Sequence, residues 1–284
     1  LRLFRRPLPE AYARLDATPN SALGVNTVRI MTDNDPRFSL MPLETIQSVD
    51  FSMLKSSLSD ALLTNRLEIA LVGDIDEAGA IAHVARTFGA LPERTSLGHP
   101  YIEERKTSWA SASGNFEILH KGEANQLGWR RVWLTTDDSD QKMAQGMDLL
   151  ARMVTLRLTD ELREKLGASY GGGASSSMSN VYPGRGNFAV ATSGDPKDLA
   201  AIEAAVDGII AEILAAPADS DLFERARKPV LESYADWRNR NDTWIGVASE
   251  AQSNPKRLDR FRDSEELFKS ITPKDVWDLA KTWL

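Results

Sequence analysis

Arg163 and Tyr170 are the two side chains in this sequence whose types and spacing best fit chemistry on a carbonyl group. They lie seven residues apart, on either side of Leu166-Gly167, which has the form of a helix end. Because the chain turns there, a residue before the turn and one after it can face the same cleft. A guanidinium offers fixed donors to a carbonyl, and a phenol offers one donor to a developing oxyanion. The spacing fits equally well an ordinary ion-paired helix arginine and a packed strand tyrosine.

The histidines predict no metal site in this chain. His83, His99 and His120 are 16 and 21 residues apart, whereas two ligands on one helical face need a separation of about three or four residues. The sequence contains neither His-x-x-Glu-His nor His-Glu-x-x-His, and it has no cysteine. We therefore expect this chain to bind no zinc by itself.

Other motifs fit structural roles better than catalytic ones. Ser175–Ser177 lacks the Gly-x-Ser-x-Gly of a nucleophile elbow, and Gly171–Gly173 lacks the lysine and helix of a phosphate loop. These glycines suit a close backbone approach or a bulge in a strand. The acidic pairs Asp137-Asp138 and Glu265-Glu266 are typical of the first turns of helices. Trp129-Arg-Arg-Val-Trp133 could stack nucleotides, but tryptophans packed on one face of a sheet fit this acidic chain better.

Composition narrows the class of protein. The 284 residues are 42% hydrophobic and 26% charged, as in an ordinary globular protein with a sizeable core. The net charge of -7 argues against nucleic acid or an anionic membrane as a partner. No apolar run approaches the roughly 20 residues that span a bilayer. The absence of cysteine fits the cytoplasm and the bacterial periplasm, of which we favour the periplasm.

The first third of the chain predicts one strand followed by helix. Leu67–Val72 is a short apolar run that favours a strand, and Asp76 can cap a helix that ends at Gly89. Thr45 to Leu63 predicts one or two short helices. Residues 93–113 are rich in proline, serine, glycine and charge, which is typical of a linker.

The rest of the chain predicts strands that alternate with longer helices. Strands are expected at Asn115–His120 and Gln126–Thr136, followed by a helix from Asp137 to Lys165 with apolar residues mostly every four positions. Residues 171–193 predict two strands around a turn. Asp195-Pro196 and Thr272-Pro273 have the form of helix starts. The predicted fold class is α+β, in two domains, with sheet packed against helices.

Four segments together resemble the M16 (insulinase/pitrilysin-like) zinc peptidases. They are Val72-Gly-Asp-Ile-Asp76 with the helix that ends at Phe88-Gly-Ala-Leu-Pro92, then Lys121–Gln126, Leu162–Tyr170, and Thr272–Val276. Their order and separation match along nearly the whole chain. Asn34-Asp-Pro-Arg37 resembles the half of those enzymes that lacks zinc. The resemblance implies that residues 1–92 are the later part of one M16-like domain, incomplete at its N-terminus, and that 114–284 form the next.

The resemblance also implies a function. Arg163 and Tyr170 would hold the substrate carbonyl and the tetrahedral oxyanion, while zinc would be bound by a segment absent from this chain. The substrate would be a peptide or an unfolded protein, and the partner a zinc-bearing N-terminal half or subunit. This chain alone would be inactive. The alternative is a catalytically inactive M16-like scaffold or peptide-binding subunit.

Overall fold

The chain is mostly helical, with one small antiparallel sheet. The computed structural model describes residues 1–63, 65–94, 101–111, 113–166 and 171–284, with the backbone alone for Asp60 and for residues 163–166. The helices are α1 (Arg2–Arg5), α2 (Leu8–Ala13), α3 (Pro19–Met31), α4 (Leu43–Ser48), α5 (Phe51–Leu63), α6 (Glu77–Thr87), α7 (Gln141–Leu166), α8 (Leu199–Ala215), α9 (Ser220–Arg238), α10 (Asn241–Ala248), α11 (Lys256–Lys269) and α12 (Pro273–Trp283). The predicted α+β class is confirmed.

The sheet consists of β1 (Leu127–Thr135), β2 (Gly172–Met178) and β3 (Gly186–Gly194), in the order β1-β3-β2. Both pairings are antiparallel. Gly194 lies opposite Leu127 at one end of β3, and Gly186 lies opposite both Thr135 and Met178 at the other. The strands predicted after residue 126 and within 171–193 are therefore confirmed.

Gly186 is required by a close backbone approach at the start of β3. A Cβ atom at this position would overlap the carbonyl oxygen of Thr136 and lie 2.6 Å from Thr135 Oγ1. A backbone atom cannot yield as a flexible side chain can, so any larger residue would push the start of β3 away from β1.

Two compact units divide the chain, and neither is continuous in sequence. The first comprises Leu1–Asp50, Glu103–Arg227 and Ile271–Leu284, and the second Phe51–Ile102 and Lys228–Ser270. The predicted division into residues 1–92, 93–113 and 114–284 stays a prediction. In the part of the chain that the structure describes, no helix is both long and apolar enough to cross a membrane.

The core of the first unit lies between the sheet and helices α7, α8 and α12. The predicted apolar stripe of α7 is buried, and so are the inner faces of β3 and α8; the members include Met147, Leu150, Val154, Leu158, Leu162, Phe188, Val190, Ile202, Val206 and Ile209. Their spacing is that of one helical face on α7 and α8. Burial of this stripe holds α7 against the sheet.

Helix α12 is fixed at its first turn to the rest of the first unit. Thr272 and Asp275 form a capping box, in which the Asp275 backbone N–H donates to Thr272 Oγ1 at 3.2 Å and the Thr272 backbone N–H donates to Asp275 Oδ2 at 2.8 Å. Lys142 Nζ of α7 lies 3.1 Å from Asp275 Oδ1. The indole N–H of Trp277 donates to the Leu214 carbonyl at 2.9 Å.

Asp275→Asn is expected to reduce stability at neutral pH but not near pH 2. Hydrogen bonds from the Thr272 side chain and backbone, with Lys142 nearby, lower the pKa of Asp275 from 3.8 to about 2. A depressed pKa in the folded state stabilises the protein above the unfolded pKa, and this contribution is lost as pH falls through the folded pKa. Because the site is half-exposed, we expect Asp275→Asn to lower the free energy of unfolding by roughly 0.5–1 kcal/mol at neutral pH.

The measurement is thermal unfolding of the wild-type protein and of the Asp275→Asn variant from pH 7 to pH 2. The difference between their midpoints is expected to shrink below about pH 4. A difference that stays constant down to pH 2 would contradict this assignment of the charge.

The second unit contains α5, α6, α10, α11 and most of α9. Asp76 caps α6, as predicted, because its Oδ2 accepts from the Gly79 backbone N–H at 2.9 Å. Tyr234 of α9 is buried, and its hydroxyl donates to the Ser264 carbonyl of α11 at 3.2 Å. Glu68 accepts hydrogen bonds from the backbone and hydroxyl of Ser253, at 3.1 and 2.9 Å.

Two predicted strands are wrong. Leu67–Val72 and Asn115–His120 are both irregular in the structure. A strand exists only when another strand supplies its hydrogen-bond partners, and in the described ranges neither segment pairs with one. Lys121, which follows the second segment, instead hydrogen-bonds through its backbone N–H to the Asp16 carbonyl at 2.6 Å.

Candidate functional site

The segment between α7 and β2 carries the predicted pair. Arg163 belongs to the last turn of α7, which ends at Leu166, and β2 begins at Gly172. The side chain of Arg163 and the whole of Tyr170 lie outside the described residues. Their convergence on one cleft therefore stays a prediction. What the structure shows is the frame of this segment, namely α7 up to Leu166 on one side and β2 from Gly172 on the other.

The last described turns of α7 are held on two sides. Leu158 and Leu162 are 0% and 2% exposed, so this end of the helix belongs to the core. On the outer side, Arg157 donates to a Glu212 carboxylate oxygen of α8 at 2.6 Å, and Asp160 lies 3.5 Å from Arg225 of α9. The described part of α7 is therefore held by core packing and by two neighbouring helices.

Thr155 joins α7 to β2. Its hydroxyl donates to the Ala151 carbonyl at 2.8 Å and accepts from the Ala174 backbone N–H at 2.8 Å. A Cβ atom on Gly173 would touch the Thr155 side chain at 3.4 Å, and one on Gly172 would lie 2.9 Å from Thr192 Oγ1 of β3. The prediction that these glycines permit close approach is confirmed at Gly172, whereas Gly173 makes an ordinary contact and Gly171 faces open space. Sequence reasoning missed Thr155, because its bond to Ala174 joins residues 19 apart.

No zinc site is present among the described residues. They include no group of three or more His, Cys, Asp or Glu side chains that could hold a metal ion. His83 shares a hydrogen bond of 2.9 Å with Arg86. His120 Nδ1 accepts from the Gly122 N–H at 3.1 Å, which makes Nε2 the donor to the Gln126 carbonyl at 3.0 Å. His99 lies outside the described residues. The side chains present do not fit tetrahedral zinc coordination.

The aromatic strand packs as predicted, whereas both acidic pairs are placed differently. On β1, the guanidinium of Arg131 lies over the rings of Trp129 and Trp133, at 5.3 and 5.9 Å from their centroids, and binds Asp207 of α8. This face of the sheet is therefore packed against protein. The expectation that the acidic pairs lie in helix first turns is wrong for both: Asp137-Asp138 precedes α7, which begins at Gln141, and Glu265 lies late in α11, 3.0 Å from Lys269 Nζ. That lysine's hydrogen bond lowers the pKa of Glu265.

A comparison with protein families decides which class of protein this frame belongs to. Residues 49–230 match the family described as "Peptidase M16 inactive domain", a range that includes α7, all three strands and the positions of Arg163 and Tyr170. The chain belongs to this family. The M16 resemblance of the sequence is thereby confirmed, as is the assignment to the part of these peptidases described as inactive.

Solved structures share the M16 fold. A peptidase M16 inactive domain from Pseudomonas fluorescens is 18% identical with a TM-score of 0.77, over 100% of this chain and 67% of that one. The periplasmic protease PqqL from Escherichia coli is 14% identical with a TM-score of 0.73, over 100% of this chain and 31% of that one. A mutant of the ferredoxin protease FusC in complex with Arabidopsis ferredoxin is 13% identical with a TM-score of 0.66, over 97% of this chain and 30% of that one.

These likenesses show the fold alone, because the identities are low. The M16 chain spans less than a third of PqqL and of FusC. No curated protein matches its sequence.

Proposed function

We propose that this chain is the non-zinc half of an M16-like zinc metalloendopeptidase. In this proposal Arg163 binds the substrate carbonyl, Tyr170 donates to the oxyanion of the tetrahedral intermediate, and zinc is bound by another segment or subunit. The observation that carries the proposal is the family match over residues 49–230, which contains both positions and the whole frame that flanks them.

The frame supports this role for the pair. Oxyanion donors work because they are positioned before the reaction and do not reorganise during it. The core residues Leu158 and Leu162 and the Thr155 hydroxyl fix both elements that flank the segment. An arginine and a phenol held in this way would stabilise negative charge that develops on a substrate oxygen. They would add no nucleophile and no general base.

Zinc would supply the chemistry that activates the attacking water, and the described residues of this chain do not fit it. We therefore assign to this chain only substrate binding and charge stabilisation. PqqL is a periplasmic protease of the same fold, and FusC is described in complex with ferredoxin. By analogy, we propose a peptide or protein substrate and a periplasmic location.

A second candidate is an M16-like scaffold or peptide-binding subunit without catalytic duty. The word "inactive" in the description of the matching family favours it. In that case Arg163 and Tyr170 would have no substrate to contact, and the chain would serve to position its zinc-bearing partner.

Reconstitution tests the proposal. The native gene, or a neighbouring one, is expected to encode a segment with His-x-x-Glu-His. Purified with zinc, that segment and this chain are each expected to hydrolyse a quenched fluorescent peptide poorly, whereas the mixture or the joined protein turns it over. Full turnover by the zinc-bearing segment without this chain would overturn the proposal and support the scaffold.

A further inference from the structure

Arg185, at the end of the β2–β3 turn, is a buried cation without an anionic partner. It is 9% exposed. Within the described part of the chain, its guanidinium makes no hydrogen bond and no ion pair, and none of its nitrogens is enclosed without a partner. Its donors therefore still reach solvent. Burial lowers the pKa of Arg185, which remains charged at neutral pH. A charge taken so far out of water is costly unless something compensates for it.

Two aromatic rings hold the guanidinium in a slot. Its Cζ atom lies 3.7 Å from the centroid of the Phe38 ring and 4.2 Å from that of the Trp109 ring. Both contacts are favourable cation–π interactions. They hold the guanidinium in place without using any of its N–H donors.

The carboxylate of Asp35, whose charge acts on Arg185, is already hydrogen-bonded to another arginine. Asp35 Oδ1 accepts from the Arg37 backbone N–H at 2.9 Å and from Arg37 Nε at 2.9 Å, while its Oδ2 pairs with Arg37 Nη2. The Arg37 side-chain hydrogen bond lowers the pKa of Asp35. The remaining Arg37 nitrogen donates to the Glu104 and Lys106 carbonyls, which holds the segment leading to Trp109. The hydrogen bonds of Asp35 are thus taken by Arg37, and its charge acts on Arg185 only from a distance, without a hydrogen bond.

The turn that carries Arg185 is built to hold it in place. Ser179 Oγ accepts from the Tyr182 backbone N–H at 2.8 Å, and the Ser179 N–H donates to the Arg185 carbonyl at 2.8 Å. Gly184 has φ +68°, a value that glycine adopts readily, and its N–H donates to Asp137. The slot is therefore positioned before any ligand arrives.

We propose that the slot formed by Arg185, Phe38 and Trp109 binds a peptide carboxylate. A planar carboxylate matches the fork of a guanidinium through two parallel hydrogen bonds, and it would supply the missing negative charge. The carboxylate comes from an acidic side chain or from the C-terminus of a peptide. The slot lies beyond Met178, about 20 Å along β2 from Gly172, so this inference concerns a different place from the proposed substrate clamp.

The experiment titrates the 284-residue chain with three acetylated tripeptides and follows the Trp109 indole and Arg185 Nε–H resonances by NMR. One peptide has a free C-terminus and no acidic side chain, the second is amidated with one glutamate, and the third is amidated with glutamine in its place. Saturable shifts with either carboxylate and none with the third support the proposal and identify the source. Equal shifts with all three, or none with the two carboxylates, overturn it.

Arg185→Lys and Arg131→Lys form a matched pair for the same titration. Both arginines lie over two aromatic rings, but Arg131 is already paired with Asp207. Loss of the bidentate fork at Arg185 is expected to weaken carboxylate binding about tenfold or more, while Arg131→Lys leaves it unchanged. Equal effects of the two substitutions would overturn the proposal. If Arg185→Lys does not fold, the wild-type titration with the three peptides still decides.

Discussion

A zinc-complete enzyme that carries Tyr170→Phe or Arg163→Ala is expected to hydrolyse peptides about 10² to 10³ times more slowly, with its zinc content unchanged. On the proposed function, Tyr170→Phe removes a donor to charge that develops only in the transition state, and Arg163→Ala removes the donor to the substrate carbonyl on which that charge forms. Such a loss lowers kcat and kcat/KM together, whereas loss of simple substrate binding raises KM alone. Initial rates over a range of substrate concentrations, with metal analysis of each variant, measure both effects.

Matched controls are an arginine of the same helix and a tyrosine elsewhere in the chain. Arg152→Ala removes an exposed α7 arginine whose partner is Asp148, at 2.9 Å. Tyr101→Phe removes the hydroxyl of a tyrosine that is 58% exposed. Both controls are expected to keep normal turnover. Normal turnover in the Arg163 and Tyr170 variants as well would remove the pair from the mechanism and leave the scaffold as the better account, even if reconstitution had shown that the chain is needed.

Phe188→Ala is expected to lower the free energy of unfolding of the first unit by about 3–5 kcal/mol. Phe188 lies on β3, the central strand, is 0% exposed, and packs edge-on against Trp133 with 5.9 Å between ring centroids. Truncation loses the burial of the ring and leaves a cavity that β3, paired with a strand along each edge, cannot move to close. A loss of this size is a large part of the total stability of a typical domain.

Urea unfolding followed by tryptophan fluorescence measures this loss, because Trp133 reports directly on the site. Phe116→Ala is the control, since Phe116 belongs to the same unit but is 48% exposed. It is expected to change the unfolding free energy by about 0.5 kcal/mol or less. Equal losses in both variants would mean that the sheet is not the core of the unit.

Local patterns predicted the elements that local physics determines. The apolar stripe of α7, the Asp76 cap and the Thr272-Pro273 start all appear in the structure, because spacing and caps act within a few residues. Leu67–Val72 has the composition of a strand but has no strand beside it in the described ranges. Strand pairing joins residues that are distant in sequence, and the sequence of one segment does not identify the strand with which it pairs.

In the candidate site too, some residues could be predicted from the sequence and others could be found only in the structure. Arg163 and Tyr170 could be proposed from their spacing and from the wording around them, whereas Thr155, which fastens α7 to β2, has no signature of its own. Arg185 is likewise ordinary in sequence. Its environment comes from Phe38 and Trp109, which lie far away along the chain and approach it only after folding. Contacts of this kind are set by tertiary structure and are read only from coordinates.

The position of α12 has a consequence for how the protein is made. The ion pair between Lys142 and Asp275 joins residues 133 apart, which at about 5–20 residues per second corresponds to a delay of roughly 7 to 27 seconds during translation. Until α12 has left the ribosome, the α7 surface that it covers remains open to other chains. We therefore expect nascent chains of this protein to need chaperone protection in the interval between the synthesis of α7 and that of α12.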